Sequence, residues 1–371
     1  MKKLGAIVLC CIFATAAEAG GIATRNYSAS GLGVANAFVA GVEDVSAVAY
    51  NPSALAWQDG VQVMADNNIR YRNSSVDLGT GIGVAPNLAG TGNPSSAYLA
   101  WMPHDSNIGV ALGFNRPYRA ENNWNTAFPG LSGHTTISLN RASLDAVLRI
   151  SSSLAVAAGG DWYLASANMQ QGAQQFSGNG RSSYGGHLSL KWKPTPTWSL
   201  GMLARLGASV DITGSGNQSV NLKLPDEVTI GVAKDVYDSI RLELDADWSR
   251  WSKMKNLNVV NGGVITQANT LDLKDTLSIM AGATWYWREN TQFRFGYAYE
   301  QGANSSSGFN PIVADQSGHK IALGAGGDMF GVHGDVAYSY TFYPNKRAAG
   351  AFAGVYRDRR HAFSISLSKA F

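Results

Sequence analysis

Apolar and polar side chains alternate with a period of two along most of the chain after residue 60. The closing stretch FSISLSKAF shows the pattern, because Phe363, Ile365 and Leu367 fall on one face with Phe371 in the same register, while serines occupy the other face. Side chains two positions apart lie on the same face of a β-strand. The alternation therefore predicts strands with one apolar and one polar face.

Turn residues divide the alternating region into fourteen predicted strands. These span residues 61–72, 95–103, 106–116, 134–150, 153–170, 181–193, 197–212, 226–236, 238–250, 276–288, 291–301, 317–328, 331–343 and 360–371. Short connections such as PHD and REN alternate with long ones rich in Gly, Asn and Ser. Outer-membrane barrels have short periplasmic turns and longer outer loops, and an even strand number leaves both termini in the periplasm. The pattern predicts an all-β protein, a transmembrane antiparallel β-barrel of about 14 strands.

The charged residues fit a barrel whose polar face lines a lumen. In SIRLELDADW, one face carries Ile240, Leu242, Leu244, Ala246 and Trp248, and the other carries Arg241, Glu243, Asp245 and Asp247. A lipid-facing charge at mid-depth costs about 2–4 kcal/mol for Arg or Lys and less for acids, so we expect the charged face in the lumen. By the same alternation, Phe293, Phe295, Tyr297 and Tyr299 point outward. Seven tryptophans lie toward strand ends, where an indole suits the bilayer interface: Trp162, Trp192, Trp198, Trp248, Trp251, Trp285 and Trp287.

Residues 1–19 have the pattern of a secretory signal peptide. Two lysines precede an apolar run, and AEA at 17–19 is the small-x-small pattern of a signal peptidase site. The run is shorter than the roughly 20 residues that a spanning helix needs, which favours cleavage over a retained anchor. Both cysteines, Cys10 and Cys11, lie in this segment, so the predicted mature chain has none.

The composition narrows the function further. Without cysteine, the mature chain has no thiol nucleophile, iron–sulfur cluster or cysteine-ligated zinc. Loss of two lysines and one glutamate with the signal peptide lowers the formal charge from +3 to +2, which gives no reason to expect nucleic acid as a partner. Charged residues make up 15% and no run of 18 apolar residues follows the signal, which excludes a helical membrane protein. We expect no cofactor and no metal.

The segment 20–58 does not alternate. It is rich in small residues and nearly uncharged, and its apolar stretches at 34–39 and 45–50 indicate brief helical turns. A free tail would be more polar, so we expect the segment to fold into the lumen as a plug, or hatch. The predicted organisation is a signal peptide at 1–19, a hatch at 20–58 and a barrel at 59–371.

Several short motifs resemble the FadL/TodX family, outer-membrane transporters of long-chain fatty acids and other hydrophobic molecules. In the predicted hatch they are Ser30-Gly31-Leu32-Gly33, Asn36-Ala37, Glu43-Asp44 and Asn51-Pro52-Ser53-Ala54-Leu55. Later ones are LPDEVTIGVAKDV, ADWSRWSKMKNL, DTLSIMAGATWYW, FRFGYAYEQG, GHKIALGAGG and DVAYSYTF. The similarity covers the hatch and most of the second half of the chain, and it is weaker from 60 to 220. It marks Gly31, Gly33, Asn36, Asn51 and Pro52 as hatch residues.

The resemblance implies a monomeric fourteen-stranded barrel in the outer membrane of a Gram-negative bacterium. Its ligand is captured outside, enters a lumenal pocket and diffuses sideways into the bilayer beside a kinked third strand. Gly113 and Pro117 in NIGVALGFNRPYRA are the candidates for that opening, because proline removes a ladder donor and glycine weakens a strand. The alternative is that the proline ends the strand. Arg119 stands where the family usually has a glycine.

Two further groups of residues are candidates for ligand contact. A fatty acid carboxylate would require a lumenal cation, and Arg205, Arg294 and Lys320 point inward by alternation. Their alternative role is pairing with lumenal acids such as Glu243 or Asp245. Asn51-Pro52 forms either a turn that folds the hatch back or a ligand contact. The loops 171–180 and 213–225 are short relative to the family's outer capture loops.

The last strand resembles the signal by which barrel-insertion machinery recognises outer-membrane barrels. Phe363, Ile365, Leu367 and Phe371 would carry that signal, and Lys369 departs from it. The expected partners are a hydrophobic small molecule, outer-membrane lipid and that machinery. Two other functions are compatible with a barrel. An open porin or surface receptor would have a free lumen, and a lipid hydrolase would need a Ser–His pair among six scattered histidines without G-x-S-x-G or H-E-x-x-H.

Overall fold

The computed structural model describes residues 23–89, 92–129, 133–180, 183–304, 313 and 315–371. The predicted signal peptide and the first three residues of the predicted hatch, 20–22, lie outside the described residues.

Fourteen antiparallel strands form the closed barrel, which confirms the predicted fold class. In chain order they are β1 Gly60–Asp77, β2 Ser95–Met102, β3 Ile108–Asn123, β4 His134–Arg149, β5 Leu154–Gln171, β6 Ser183–Thr195, β7 Trp198–Leu206, β8 Glu227–Val236, β9 Ile240–Ser249, β10 Thr276–Arg288, β11 Thr291–Glu300, β12 Gly318–Met329, β13 Val332–Phe342 and β14 Gly354–Ala370. Each strand pairs with its neighbours in sequence. The ring closes between β14 and β1, from Gln62 opposite Ala370 to Asp77 opposite Val355.

The two faces of each strand differ as predicted. On β9, Leu242 and Leu244 are exposed on the outside, whereas Glu243, Asp245 and Asp247 are buried inside. The four predicted outward aromatic residues of β11 are likewise exposed. The outer surface therefore offers apolar side chains to lipid, and the acids face the lumen.

The long connections contain more structure than the sequence predicted. The loops expected at 171–180 and 213–225 contain strands Gln174–Gly180 and Gln218–Lys223, and the predicted strand 197–212 ends at Leu206. Ser209–Gly214 is a separate strand, which pairs with both Gln174–Gly180 and Gln218–Lys223. These hairpins extend the barrel wall beyond the membrane because adjacent loops satisfy each other's edges.

Six of the seven candidate interface tryptophans are exposed on the outer surface, but Trp251 is not. It begins a short 3-10 helix, Trp251–Lys253, and packs edge-on against Tyr118 with ring centroids 6.1 Å apart. The interface prediction is wrong for Trp251 because the chain turns inward after β9, and alternation does not extend past a strand end.

Residues 23–58, which we call the inner segment, lie inside the barrel and are almost entirely buried. The segment contains α1 Ala29–Gly33, α2 Ala47–Tyr50 and the 3-10 helix Pro52–Trp57. Ser28 caps α1, because its hydroxyl accepts a hydrogen bond from the Gly31 N–H at 3.1 Å. Among the described residues, no helix is long and apolar enough to cross a membrane.

The C-terminus closes the barrel seam. The Phe371 N–H donates to the Val61 carbonyl at 2.8 Å, and the Val61 N–H donates back at 3.3 Å. The four residues of the predicted insertion signal are all exposed on the outer face. Lys369 lies on the same face with its ammonium 5.0 Å from the centre of the Phe371 ring.

Deleting Phe371 removes both seam hydrogen bonds and the terminal aromatic ring. We expect several-fold less assembled barrel in the outer membrane, measured as the heat-modifiable band in electrophoresis. Ala370→Ser, which keeps the chain length and the ring, is the control. Wild-type assembly without Phe371 would contradict the role of this residue.

Candidate functional site: the lumen, its inner segment and the third strand

Two carboxylates of β9 bind the middle of the inner segment. Asp245 accepts hydrogen bonds from the N–H groups of Phe38 and Val39 at 2.7 and 2.9 Å. Glu243 accepts from the N–H groups of residues 40 and 41 at 2.7 and 2.9 Å. Hydrogen bonds to charged groups contribute about 1.5–3 kcal/mol each. We call Glu243 and Asp245 the carboxylate anchor, because four backbone donors of a non-helical stretch depend on it.

The Asn51-Pro52 pair joins the inner segment to the wall. The Asn51 side-chain amide donates to the carbonyls of Val39 at 2.7 Å and Leu190 of β6 at 3.1 Å, and its oxygen accepts from the Ser53 hydroxyl at 2.6 Å. Pro52 is the first residue of the 3-10 helix, where its missing N–H costs nothing. All of these contacts are with other residues of the protein. They agree with the alternative that Asn51-Pro52 forms a turn that folds the segment back.

The other predicted hatch residues occupy close contacts. A Cβ on Gly31 would lie 2.3 Å from the Tyr50 hydroxyl, and one on Gly33 would lie 3.1 Å from the Cα of Gly324 on β12. Asn36 has a positive φ of 69°, a conformation that asparagine tolerates better than most residues, and its side-chain oxygen accepts from the Tyr50 hydroxyl at 3.1 Å. These residue types are therefore explained by packing.

The three nominated cations point into the lumen as predicted, and each already has an acidic partner. Arg205 pairs with Asp161, Arg294 with Asp335 at 2.6 Å and Lys320 with Glu300 at 2.6 Å. The three cations thus lie beside lumenal acids, but these are not Glu243 or Asp245, which instead accept backbone N–H groups. Alternation shows which face a charge occupies and cannot show which neighbour it meets.

A buried charge cluster on β4, β5 and β6 was missed by sequence reasoning. The His187 ring contacts Asp145 with Nε2 at 2.5 Å and Asp161 with Nδ1 at 3.1 Å, so its ring nitrogens face carboxylates and not a serine. Arg141 lies 5.5 Å from the centre of the Tyr27 ring. Among the described residues, Nε and Nη2 of Arg141 and Nη2 of Arg205 lack a hydrogen-bond partner. The only sequence signal for this cluster was the alternation, which places each of these charged side chains on the inward face of its strand.

Apolar side chains fill one part of the extracellular half of the lumen. We call this set the apolar lumen cluster; its larger members are Tyr118, Ile137, Leu139, Tyr163, Met169, Phe176, Val210, Ile212, Val220, Leu222, Leu224, Trp251, Met254, Leu257, Val259, Leu271 and Leu273. They come from β3, β4 and β5 and from the long loops. A membrane barrel does not require an apolar interior for insertion, because its interior is commonly polar. The cluster therefore offers hydrophobic molecules a compatible environment.

Charged loop residues hold this cluster at its outer edge. Asp226 accepts from the Gly207 N–H at 2.9 Å and the Lys253 ammonium at 2.8 Å. Burial tends to raise the pKa of Asp226, but these hydrogen bonds outweigh it and lower the pKa below its usual value. The carboxylate thereby fixes the turn that carries Trp251.

The third strand breaks its pairing with β2. Their ladder ends at Ala97 opposite Phe114, although β3 continues to Asn123. Against β4, β3 has a bulge between Asn115 and Tyr118. The strand therefore passes through Pro117, and the alternative that the proline ends it is wrong.

The inner segment covers the edge that this break leaves. The Thr24 N–H donates to the Pro117 carbonyl at 2.7 Å, its hydroxyl bonds to the Arg116 carbonyl, and Ala23 forms an isolated bridge with Tyr118. A bare strand edge within lipid would leave polar groups unsatisfied. Thr24 was not predicted, because no local pattern links it to a strand about 90 residues away.

Gly113 lies below this break and packs against the inner segment. A Cβ at this position would lie 2.7 Å from both Val48 of α2 and the Ser143 hydroxyl. The contact gives Gly113 a packing function that is separate from the break at Pro117.

Two cavities lie on opposite sides of the inner segment. The outer one, of about 100 Å³, has a polar lining that includes Arg25, Glu300 and Lys320. The other, of about 450 Å³ at the periplasmic end, is lined in part by Phe38 and Arg241. Because residues 23–26 line the first cavity and residues 34–45 contribute to the second, the segment separates them.

Comparison with known proteins agrees with this geometry. Residues 183–351 match the model of the family described as outer membrane protein transport protein (OMPP1/FadL/TodX). No curated protein sequence matches the chain. The fold resembles those of a Pseudomonas aeruginosa FadL homologue (TM-score 0.81, 17% identity, 95% of this chain and 100% of that one), the P. putida toluene transporter TodX (0.69, 14%, 91% and 98%) and the Ralstonia pickettii toluene transporter TbuX (0.63, 14%, 91% and 98%).

These findings identify a barrel with the fold of outer-membrane transporters of hydrophobic compounds. The FadL/TodX resemblance inferred from the sequence motifs is confirmed, and so is the location in the outer membrane of a Gram-negative bacterium.

Replacing Gly113 by valine should force α2 away from β3, because the added side chain would overlap Val48. We expect a loss of about 1–3 kcal/mol in stability, typical of overpacking. The measurement is thermal unfolding of the purified barrel. Gly160→Val is the matched control, since no atom lies within 4 Å of a Cβ at that outward position. Equal stability of the two variants would contradict the packing function.

Replacing Glu243 and Asp245 together by alanine should loosen the inner segment. Each buried N–H left without an acceptor costs about 1–3 kcal/mol. We expect faster permeation of a small sugar in liposome-swelling assays and faster cleavage of the segment by added protease. Glu289→Ala, in an exposed periplasmic turn, is the control. If the double variant stays as sugar-tight and protease-resistant as wild type, the carboxylate anchor does not hold the segment.

Proposed function

We propose that this protein carries hydrophobic small molecules across the outer membrane by passive diffusion, with lateral exit into the bilayer beside β3. The observation that carries the proposal is the position of Tyr118. This residue belongs to the apolar lumen cluster and also ends the bulge where β3 has lost its partner β2. An apolar route inside the barrel thus reaches a break in the wall.

The inner segment acts as the plug in this proposal. It is buried among inward side chains from strands around the ring, including Ser189 of β6, Asp245 of β9 and Ser366 of β14. A segment held on several sides blocks a continuous water path. This arrangement favours a transporter over the open porin, whose lumen would be free.

The exit requires a small movement in this mechanism. Ala23 and Thr24 cover the β3 edge through their contacts with Arg116, Pro117 and Tyr118. Displacing these two residues would uncover the gap while the carboxylate anchor still holds residues 38–41. Opening and plugging therefore depend on different contacts.

The charges of the lumen favour an uncharged ligand. Arg205, Arg294 and Lys320 are all neutralised by acids, so a carboxylate would have to compete with a resident partner. Aromatic hydrocarbons match this lining. The second candidate is a long-chain fatty acid, supported by Nη2 of Arg141 and Nη2 of Arg205, which among the described residues have no hydrogen-bond partner and lie beside a cavity of about 40 Å³.

Deleting Pro117 should remove the extra residue of the bulge and allow β3 a regular ladder with β4. We expect uptake to fall several-fold in cells that express the variant, because without the bulge β3 is no longer bent away from β2 and the gap between these two strands narrows. The measurement is uptake of radiolabelled toluene and of a radiolabelled long-chain fatty acid, with permeation of a small sugar as the test of plugging.

Deleting Gly81, in an open outer loop, is the matched control and should leave uptake unchanged. Wild-type uptake without Pro117, in a barrel that still assembles, would refute lateral exit at β3. Uptake of fatty acid and not of toluene by the wild type would assign the second candidate ligand. Rapid sugar permeation through the intact protein would favour the porin.

A further inference from the structure

The outward face of β14 changes character along its length. Phe363, Ile365 and Leu367 are exposed apolar residues. Continuing with the same period toward the extracellular end, the strand places Arg359 and Arg357 on this face. Along β14 toward the extracellular end, the outer surface therefore changes from apolar to cationic.

The length of the apolar part of this face matches the thickness of the apolar layer of the membrane. Lys369 and Arg359 are ten residues apart on the outward face of β14. With a rise of about 3.3 Å per residue and a tilt of about 40°, this separation is about 25 Å along the membrane normal, the height of the apolar band on such barrels. If Lys369 lies at the periplasmic interface, Arg359 lies at the level of the outer-leaflet headgroups.

A third arginine joins the two on β14. Arg347 lies on the short strand Lys346–Ala348, opposite Val355, and therefore shares the outward face. We call Arg347, Arg357 and Arg359 the arginine rim. Arg357 pairs with Asp77 at 3.2 Å. Among the described residues of β1, β14 and this short strand, Asp77 is the acid on the outward face, so the surface keeps a positive excess.

The positions of these guanidinium groups are partly fixed. Nη1 of Arg359 donates to the carbonyls of Tyr343 at 2.9 Å and Asp358 at 2.7 Å. Such bonds hold one edge of a planar guanidinium against the loop. They lower the entropy that is lost when the group binds an anion.

Aromatic rings lie directly below the arginine rim. The His361 ring is 5.0 Å from that of Tyr340 and 5.6 Å from that of Tyr71, and its Nδ1 is hydrogen-bonded to the Tyr338 hydroxyl at 2.8 Å. Rings with polar tips suit the boundary between acyl chains and headgroups. The surface is thus apolar, then aromatic, then cationic in the direction of the extracellular side.

We propose that the arginine rim binds a phosphate-bearing lipid of the outer leaflet, with its acyl chains lying along the apolar face of β14. Guanidinium groups recognise phosphate oxygens through paired hydrogen bonds. A lipid is favoured over free phosphate because the aromatic and apolar surface continues below the charges. The ligand class is a phosphorylated glycolipid or phospholipid anchored in the same membrane.

The test measures binding of bisphosphorylated lipid A to the purified full-length barrel in detergent by native mass spectrometry. The triple variant R347Q/R357Q/R359Q should bind roughly 100-fold more weakly, from the loss of three charges near a lipid headgroup. D77N should bind at least as tightly as wild type, because Arg357 loses a competing partner. Heat-modifiable migration checks that each variant is folded.

The controls separate the charges of the rim from charge in general. R288Q and K369Q each remove an exposed cation at the periplasmic end, and they should bind lipid A as wild type does. Wild-type affinity in the triple variant would overturn the proposal. So would equal binding of lipid A without its phosphates, or equal retention of inorganic phosphate at the same concentration.

Discussion

Every backbone N–H and C=O that crosses a lipid bilayer needs a partner from the protein itself, and the rest of this structure follows from that constraint. The ring closes between β14 and β1 down to the final residue, where Phe371 exchanges hydrogen bonds with Val61. Where β3 loses its neighbour β2, a threonine of the inner segment donates a hydrogen bond to the Pro117 carbonyl. The edge of β3 that this break leaves is thus covered from inside the barrel.

The charges of the lumen follow from the same constraint. They are excluded from the outer face, so they meet inside the barrel and are buried there. Some pair with opposite charges, as Arg294 does with Asp335. Others satisfy backbone, as Glu243 and Asp245 do for the inner segment. Removing one partner of a buried charged contact costs folding free energy. These contacts therefore define the position of the inner segment more strictly than apolar packing alone would.

The lumen therefore has two chemical regions. One is the apolar lumen cluster, with Tyr118 at the break in the wall. The other is made of charged pairs around the inner segment, some of which, such as Lys320 with Glu300, lie at the extracellular ends of their strands. The outer surface has an order of its own, because the outward face of β14 changes from apolar to cationic toward the extracellular end. Lys369 departs from an apolar terminal pattern, and its ammonium lies 5.0 Å from the centre of the Phe371 ring.

The sequence by itself determined where the strands lie, which face of each meets lipid, and which connections are long, because a period of two is a local property that needs no knowledge of neighbours. It also marked Pro117 as unusual and indicated an inner segment from composition. Only the tertiary structure decided that Arg205 meets Asp161, that His187 lies between two carboxylates, that Thr24 covers the β3 edge and that Trp251 turns inward. These contacts join residues far apart in the chain. They depend on strand register and ring closure, which no local pattern encodes.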